Sequence, residues 1–374
     1  MIEDLLPAHG GQLRELALQF GVPEETLIDF SASIRPAPLS DAIVAALCDA
    51  LRARRIISTY PEMRYTALRQ AIGAYLQVGE ESIVVGSGVM PLLGAAIHVL
   101  GAPRVLVPVP SFAEYGKVLR AGGAERCTLT LIPEENFSLA VARVLDGLKA
   151  SGAQALLLAN PQSPSGRLMK AASLLELCEQ VRALGASVLV DEAFIDYTPA
   201  ESLARWAAQR PGLIVLRSLT KFFAIPGLRV AYAVACPETR AAMEEAIPAW
   251  PVGSLAAEAA RMALCEDGEM AAARATNAQQ RNWLAERLRS LGLRVFPGEA
   301  NYLLVKIADR SNGLEFWRKM IAEHRIVLRC CANFEGLDEH YFRIGVRTRA
   351  ENRRLVEAFA ALLQTLSPAS SAPM

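Results

Sequence analysis

The chain lacks paired cysteines, an excess of either charge and a long apolar run. Its seven cysteines are scattered and contain no C-x-x-C pair, so we expect no metal site and no disulfide framework. Lysine plus arginine and aspartate plus glutamate both number 39, which argues against nucleic acid as a partner. The most apolar stretch, Val89–Pro103, is interrupted by Pro91 and Gly94. It falls short of the ~20 apolar residues that a membrane span needs.

What the chain does contain is enough apolar sequence for a large core. Apolar residues make up 52% and charged residues 21% of the 374 positions, which excludes a disordered protein. The length is about two and a half times a ~150-residue domain, so one large domain and two moderate ones are both open. The N-terminal sequence MIEDLLPAHGG is acidic where a signal peptide is basic. We therefore expect a cytoplasmic protein with a small-molecule partner and no membrane association.

Between about residues 82 and 235, short apolar runs alternate with segments of helical period. Runs of successive apolar residues are typical of strands covered on both faces. The repeated spacing predicts an α/β layered domain with a mostly parallel sheet, in which ligands collect at the carboxyl ends of strands. The predicted strands are Ser82–Val85, Arg104–Pro108, Glu125–Leu131, Ala155–Ala159, Ser187–Asp191, Leu213–Ser218 and Val230–Ala235, and the predicted helices include Phe112–Gly122, Ser138–Ala150 and Ala171–Gly185.

The last third alternates less regularly and predicts a smaller α+β domain that begins with a long charged helix, Gly268–Leu291. We expect a large domain at 46–267, a small domain built from 1–45 plus 268–366, and a disordered tail at 367–374. The other predicted elements of the small domain are strands Leu293–Phe296, Tyr302–Ile307, Ile326–Leu328 and Tyr341–Val346 and helices Leu314–His324 and Ala350–Leu366.

Polar residues with distinct chemistry follow four of the predicted strands. A Gly-Ser-Gly turn, Gly86–Gly88, precedes a helix, the arrangement in which backbone N–H groups receive a phosphate. Asn160 and Asp191 each stand at a strand end, and Lys221 follows a fourth strand with Arg229 eight residues beyond it. Each feature alone is weak evidence, but together they predict a site at one edge of the sheet.

In this order, the motifs NP…P.G, VDEAF and SLTK followed by an arginine resemble fold-type I pyridoxal-phosphate (PLP) enzymes of the aminotransferase superfamily. The resemblance covers nearly the whole chain. HGG at His9–Gly11, DFSASIRP, YPEMRY, PSFAEY, RCCANFEGLD and YFRIGVRT resemble more closely the threonine-phosphate decarboxylases, whose nearest relatives are histidinol-phosphate aminotransferases. The resemblance implies PLP as cofactor, decarboxylation of L-threonine O-3-phosphate to (R)-1-amino-2-propanol O-phosphate and CO2, and a role in building the nucleotide loop of cobalamin.

The resemblance also implies which residues bind the cofactor. Lys221 would form the Schiff base and later deliver a proton, because an amine is needed for both steps. Asp191 would pair with the pyridine nitrogen and keep it protonated. The remaining implied contacts are Ser87, Gly88, Val89, Ser218 and Arg229 around the phosphate, Asn160 at the phenolic oxygen, Phe112 stacked on the ring, and Tyr60 reaching the cofactor of a neighbouring subunit. Tyr60 thereby implies a homodimer with shared active sites.

The implied substrate contacts come mainly from the predicted small domain. Two arginines suit a substrate that carries both a carboxylate and a phosphate. By resemblance, Arg343 would bind the carboxylate, while Arg329 with His9 and Gly10 would bind the phosphate. The further implied substrate contacts are Ser33 and Asn160.

Three alternatives stay open at this point. Ser33 stands where the family has an asparagine, so phosphoserine is a second candidate substrate. A histidinol-phosphate-type aminotransferase is another, although Phe194, where that relative has a tyrosine, and the HGG…DFSA motif favour decarboxylation. A catalytically silent regulator with the same fold would have no need of Lys221.

Overall fold

The computed structural model describes residues 6–309 and 312–366. The predicted tail at 367–374 lies outside the described residues. The strands, numbered along the chain, are β1 Ile28–Asp29, β2 Ile83–Gly86, β3 Arg104–Val109, β4 Glu125–Thr130, β5 Ala155–Ala159, β6 Ser187–Asp191, β7 Leu213–Ser218, β8 Ala231–Val234, β9 Arg294–Val295, β10 Tyr302–Lys306, β11 Ile326–Val327, β12 Arg329–Cys330 and β13 Tyr341–Gly345.

The helices of the described chain are α1 Leu13–Phe20, α2 Asp41–Arg52, α3 Arg55–Ser58, α4 Thr66–Leu76, α5 Val89–Leu100, α6 Glu114–Ala121, α7 Val141–Ser151, α8 Ala171–Ala183, α9 Ala204–Ala207, α10 Pro237–Ala246, α11 Ser254–Ala263, α12 Asp267–Ser290, α13 Gly313–Ala322 and α14 Arg349–Leu366. The six helices whose bounds were predicted from sequence, α6 to α8 and α12 to α14, begin and end within a few residues of those bounds. In the described part of the chain, none of these helices combines the length and apolar character that crossing a membrane requires.

The chain divides into two compact units. The large unit comprises Ala37–Ser163 and Arg167–Arg274. The small unit comprises the described residues up to Pro36, the segment Pro164–Gly166, and the described residues from Ala275 onward. Sequence analysis predicts domain boundaries after residues 45 and 267, whereas the two units divide after residues 36 and 274.

A seven-stranded sheet forms the centre of the large unit. The strand order is β2-β8-β7-β6-β5-β3-β4, and four of the six pairings are parallel, those on either side of β8 being antiparallel. The central residues Leu156, Leu189 and Val215 are completely buried, because helices cover both faces of a parallel sheet. The predicted α/β fold with a mostly parallel sheet is confirmed.

The small unit is built on a four-stranded antiparallel sheet in the order β12-β13-β10-β9 and a separate two-stranded pairing of β1 with β11. Its core contains aromatic residues of α13, β13 and α14, including Trp317, Phe342 and Phe359. Leu284 and Leu288 near the end of α12 are buried in the same core. This mixture of a small sheet and flanking helices is the α+β arrangement that the sequence predicted.

Candidate active site

A glycine-dependent loop (Ser87–Val89, the phosphate loop) joins β2 to α5 in the large unit. Gly88 has φ +88°, a conformation that side-chain-bearing residues rarely adopt. A Cβ atom added there would stand 3.0 Å from Nη2 of Arg229. The loop therefore keeps an open main-chain surface at a helix N-terminus beside a guanidinium group, which fits the phosphate of PLP.

Asp191 is the last residue of β6, and its carboxylate is held from two sides. Oδ2 accepts a 2.6 Å hydrogen bond from the Tyr115 hydroxyl, and Oδ1 accepts a 3.0 Å bond from the Ala193 N–H. Burial raises the pKa of Asp191, while these two donors and the charge of Lys221 oppose that rise. A buried, oriented carboxyl group at a strand end fits the pyridine nitrogen of PLP.

The neighbouring strand, β7, carries the predicted lysine. Ser218 is its last residue and is buried, with Oγ 2.7 Å from Oγ1 of Thr220. Lys221 lies three residues beyond the end of β7 and is half-buried. Because β6 and β7 pair in parallel, their ends lie at the same sheet edge. Lys221 is close enough to Asp191 for its charge to favour the ionised carboxylate, so the structure brings these two predicted residues together.

Asn160 and Phe112 follow β5 and β3. The Asn160 amide donates to the Met169 carbonyl at 3.0 Å, and its Oδ1 accepts from the Met169 N–H at 2.9 Å. The bond to the Met169 carbonyl uses one of the two N–H groups of the Asn160 amide. A contact between the other N–H and the phenolic oxygen of the cofactor stays a prediction. The Phe112 ring is half-buried and packs against the Tyr115 ring in a T-shaped arrangement, with centroids 5.8 Å apart.

A buried charged cluster (Glu192, Asp196, Arg217) lies directly behind these strand ends. Arg217 is 1% exposed; its Nη1 lies 3.3 Å from the Glu192 carboxylate, and its Nη2 bonds Asp196. Glu192 follows Asp191, and Arg217 precedes Ser218, so alternation along the strands places this cluster on the opposite sheet face from the predicted site residues. Burial raises the pKa of Glu192 to about 7, against the effect of Arg217. Sequence analysis did not find this cluster, although the letters DEAFID carried two of its members.

In the small unit, the N-terminal loop packs on the segment after β1. A Cβ atom on Gly10 would stand 2.2 Å from the Ser31 carbonyl oxygen, so only glycine allows this approach. The Gly11 N–H donates to Ser31 Oγ at 2.9 Å, and Asp29 accepts from the Ser31 hydroxyl at 2.5 Å. His9 is half-buried at this contact. The HGG and DFSAS motifs thus form one local structure.

The two predicted substrate arginines stand directly opposite each other. Arg329 on β12 pairs with Arg343 on β13 in an antiparallel ladder, so their side chains share one sheet face. Both are buried, with 4% and 9% exposure. Burial, reinforced by the charge of Arg343, lowers the pKa of Arg329 to about 10. The hydrogen bonds of Arg329 go to the Cys330 and Ala8 carbonyls and to Asn333, none of which carries a charge.

Ser33 occupies an unusual conformation in the same unit. Its φ is +48°, it is 3% exposed, and its Oγ has no hydrogen-bond partner among the described residues. Its carbonyl accepts a 2.8 Å bond from the Asn301 amide. Asparagine adopts this left-handed region more readily than serine does, which agrees with the family pattern at this position.

Tyr60 lies on the surface of the large unit. Its side chain is 79% exposed and stacks on Trp250, with ring centroids 4.5 Å apart. Within this chain it does not lie with the buried strand-end residues described above. The role of Tyr60 at a neighbouring subunit's cofactor stays a prediction.

Comparison with known proteins identifies the family. The family model of class I and II aminotransferases matches residues 25–359. The threonine-phosphate decarboxylase of Salmonella typhimurium is 34% identical, over 97% of this chain and 98% of that protein. The adenosylcobalamin biosynthesis bifunctional protein CobDQ of Leptospira interrogans is 28% identical over 95% of this chain, which corresponds to 41% of its own length.

A solved structure of the same architecture holds the cofactor. Histidinol-phosphate aminotransferase from Sinorhizobium meliloti, in complex with pyridoxal-5'-phosphate, superposes with a TM-score of 0.83 at 18% identity, over 96% of this chain and 98% of that chain. At this identity the match shows the fold. The chain therefore belongs to the class I and II aminotransferase family and is a PLP-dependent decarboxylase, as the family match, the similarity to a decarboxylase and the open loop at Gly88 indicate.

Proposed function

We propose that this enzyme decarboxylates L-threonine O-3-phosphate to (R)-1-amino-2-propanol O-phosphate and CO2, as a step in cobalamin biosynthesis. The observation that carries the proposal is the buried pair Arg329 and Arg343, placed side by side on one sheet face. Two adjacent buried cations suit a ligand with two anionic groups. The similarity to a threonine-phosphate decarboxylase over nearly the full length of both proteins supports the same substrate.

In this proposal the strand ends of the large unit bind PLP. The phosphate loop, Ser218 and Arg229 hold its phosphate, and Asp191 holds the pyridine nitrogen in its protonated form. Asn160 and Phe112 contact the ring system. When bound, PLP supplies an electron sink for the pair of electrons left at Cα. Lys221 carries the cofactor and returns a proton to Cα after the bond to the carboxylate breaks and CO2 leaves.

The small unit binds the substrate anions. Arg343 receives the carboxylate, and Arg329 with His9 and Gly10 receives the phosphate. Ser33 contributes its hydroxyl, which has no hydrogen-bond partner among the described residues of the chain itself. A pair of fixed guanidinium groups orients the substrate as well as binding it. Orientation of this kind contributes on the order of 7–11 kcal/mol in favourable cases.

Orientation also decides between decarboxylation and transamination. Arg343 would fix the direction of the Cα–carboxylate bond, so that with PLP bound this bond would break in preference to the Cα–H bond. Phe194, buried with 9% exposure beside the strand end of Asp191, brings no hydroxyl to the phenolic oxygen, unlike the tyrosine of the aminotransferase relatives. We propose that this difference favours loss of CO2.

We further propose a homodimer that forms through the surface around Tyr60. Among the described residues, eight large apolar side chains are exposed, and five of them lie between positions 44 and 63: Val44, Leu51, Ile57, Tyr60 and Met63. Trp250, stacked on Tyr60, extends the same surface. Sedimentation velocity should give a dimer for the wild type and a smaller species for Ile57→Glu.

The experiment that tests the function is a substrate panel with the PLP-loaded enzyme. L-threonine O-3-phosphate, L-serine O-phosphate, and histidinol phosphate with 2-oxoglutarate are incubated separately while CO2, amine and glutamate are measured. We expect CO2 and amine from phosphothreonine at the highest kcat/KM. Faster release from phosphoserine would reassign the substrate. Glutamate formed from the third mixture without CO2 from the first two would overturn the proposal.

A further inference from the structure

Tyr115 contacts two residues that the proposed function places against the cofactor ring. Its hydroxyl donates the 2.6 Å hydrogen bond to Oδ2 of Asp191. Its ring meets the Phe112 ring edge to face, at 5.8 Å between centroids and 87° between planes. Tyr115 itself is only 1% exposed. One buried side chain of α6 therefore contacts both the pyridine-nitrogen partner and the predicted stacking residue.

Local structure fixes this arrangement. The Tyr115 N–H donates to the Phe112 carbonyl at 3.1 Å, which places the two residues one helical turn apart on the same side. Asp191 lies 76 residues away in sequence and reaches Tyr115 through the pairing of β3, β5 and β6. Because Ala193 N–H already occupies the other carboxylate oxygen, the tyrosine hydroxyl completes the orientation of Asp191.

We infer that Tyr115 is a positioning residue for the reaction. Its hydroxyl holds the Asp191 carboxylate ionised and oriented, so that the proton between this carboxylate and the pyridine nitrogen of bound PLP stays on the nitrogen. The physical reason is that a hydroxyl donor stabilises a carboxylate more than it stabilises the neutral acid. Burial of Asp191 works in the opposite direction and raises its pKa. Without the hydroxyl, the proton moves toward the Asp191 oxygen and the cofactor becomes a weaker electron sink.

The variant Tyr115→Phe removes the hydroxyl and keeps the ring contact with Phe112. Tyr65→Phe is the matched control, because Tyr65 is also buried, at 7%, and its hydroxyl donates a 2.7 Å bond to the Val252 carbonyl, which is not among the groups proposed to contact cofactor or substrate. Urea denaturation of both variants establishes that each is folded. A loss of activity caused only by removing a buried hydrogen bond should appear in both variants.

The decisive readout is the ¹⁵N chemical shift of ring-labelled PLP bound to each protein, scaled against free cofactor with its ring nitrogen protonated and deprotonated. We expect the wild type and Tyr65→Phe near the protonated limit and Tyr115→Phe displaced toward the deprotonated limit. We also expect kcat for CO2 release to fall about 10-fold in Tyr115→Phe, with KM little changed, and to stay at the wild-type value in Tyr65→Phe.

The inference rests on the proposed role of Asp191, and the same spectra separate the two. A protonated wild type with an unshifted Tyr115→Phe would overturn the role of Tyr115 and leave that of Asp191 intact. A deprotonated ring nitrogen in the wild type would overturn the role of Asp191 itself, and the inference with it. An equal displacement in Tyr65→Phe would also count against Tyr115, since the effect would then not depend on contact with Asp191.

Discussion

The two units present their proposed site residues in different ways. In the large unit, Asp191, Ser218 and Lys221 stand at or just beyond the ends of parallel strands, where main-chain geometry places them at one edge. In the small unit, Arg329 and Arg343 project from two paired strands of an antiparallel sheet. The first arrangement follows from topology alone. The second depends on strand register, since a shift of one residue would separate the arginines onto opposite faces.

The largest expected effect tests the large unit. Lys221→Ala removes the amine that we propose carries the cofactor and returns the proton, so we expect CO2 release from phosphothreonine to fall by about 10⁴-fold or more. Borohydride reduction followed by peptide mass spectrometry should find the cofactor attached at Lys221 in the wild type and at no peptide in the variant.

Lys149→Ala is the control for this test, because Lys149 is an exposed lysine of α7. It should retain full activity and the adduct at Lys221. An active Lys221→Ala enzyme would remove the chemical role that we assign to the end of β7.

The next largest effect tests the small unit independently of the large unit. Arg329→Gln removes one of the two paired guanidinium charges, and we expect kcat/KM for phosphothreonine to fall on the order of 10²-fold, chiefly through KM. PLP binding, followed by absorbance, should be unchanged because the residues that we propose to bind the cofactor belong to the large unit.

Arg281→Gln is the matched control in the same unit. Arg281 is 8% exposed and pairs with Glu299 at 2.6 Å, so its loss should reduce stability without raising KM. Equal KM values in the two variants would mean that the arginine pair does not bind substrate.

A third prediction concerns the charged cluster behind the strand ends of the large unit. Asp196→Asn leaves buried Arg217 with a single carboxylate, Glu192. We expect the free energy of unfolding to fall by about 3 kcal/mol, measured by urea denaturation of the PLP-loaded enzyme.

Glu179→Gln provides the comparison, since this half-exposed residue pairs with Arg182 and Arg210 at the surface. Its cost should be below about 1 kcal/mol. Equal losses in the free energy of unfolding for the two variants would show that burial does not determine how much the charged cluster contributes to stability.

The smallest predicted effect distinguishes a serine hydroxyl that binds substrate from a serine hydroxyl that stabilises the fold. Ser33→Ala removes an Oγ that bonds nothing in the described residues, so we expect unchanged stability and a fall of about fivefold in kcat/KM. Ser31→Ala removes an Oγ that bonds both Gly11 and Asp29 and should lower the melting temperature instead. A stability loss in Ser33→Ala would contradict the substrate contact.

How much could be predicted from sequence follows the same division. β5, β6 and β7 have the predicted bounds, because continuous apolar runs are a direct consequence of burial on both faces. Asp191 and Lys221 could be located from those strand ends. The pairing of Arg329 with Arg343 could not, since no local pattern encodes register between β12 and β13.

Tyr115 escaped sequence analysis for a related reason. Within PSFAEY, no local feature of the sequence marks Tyr115 as different from any other partly buried tyrosine of a helix. Its hydrogen bond to Asp191 spans 76 residues and exists only after β3, β5 and β6 pair. Asn160 shows the converse: its strand-end position was clear from sequence, while its two bonds to Met169 were not.

The reaction that we propose for this enzyme removes the carboxylate of a phosphorylated hydroxy-amino acid. The most direct measurement follows L-threonine O-3-phosphate labelled with ¹³C in the carboxyl group by NMR, with PLP-loaded enzyme and no 2-oxo acid. We expect the label to leave as ¹³CO2 and bicarbonate while an amine phosphate accumulates in equal amount. Label retained in the amino acid, or moved only into a 2-oxo acid once 2-oxoglutarate is added, would contradict it.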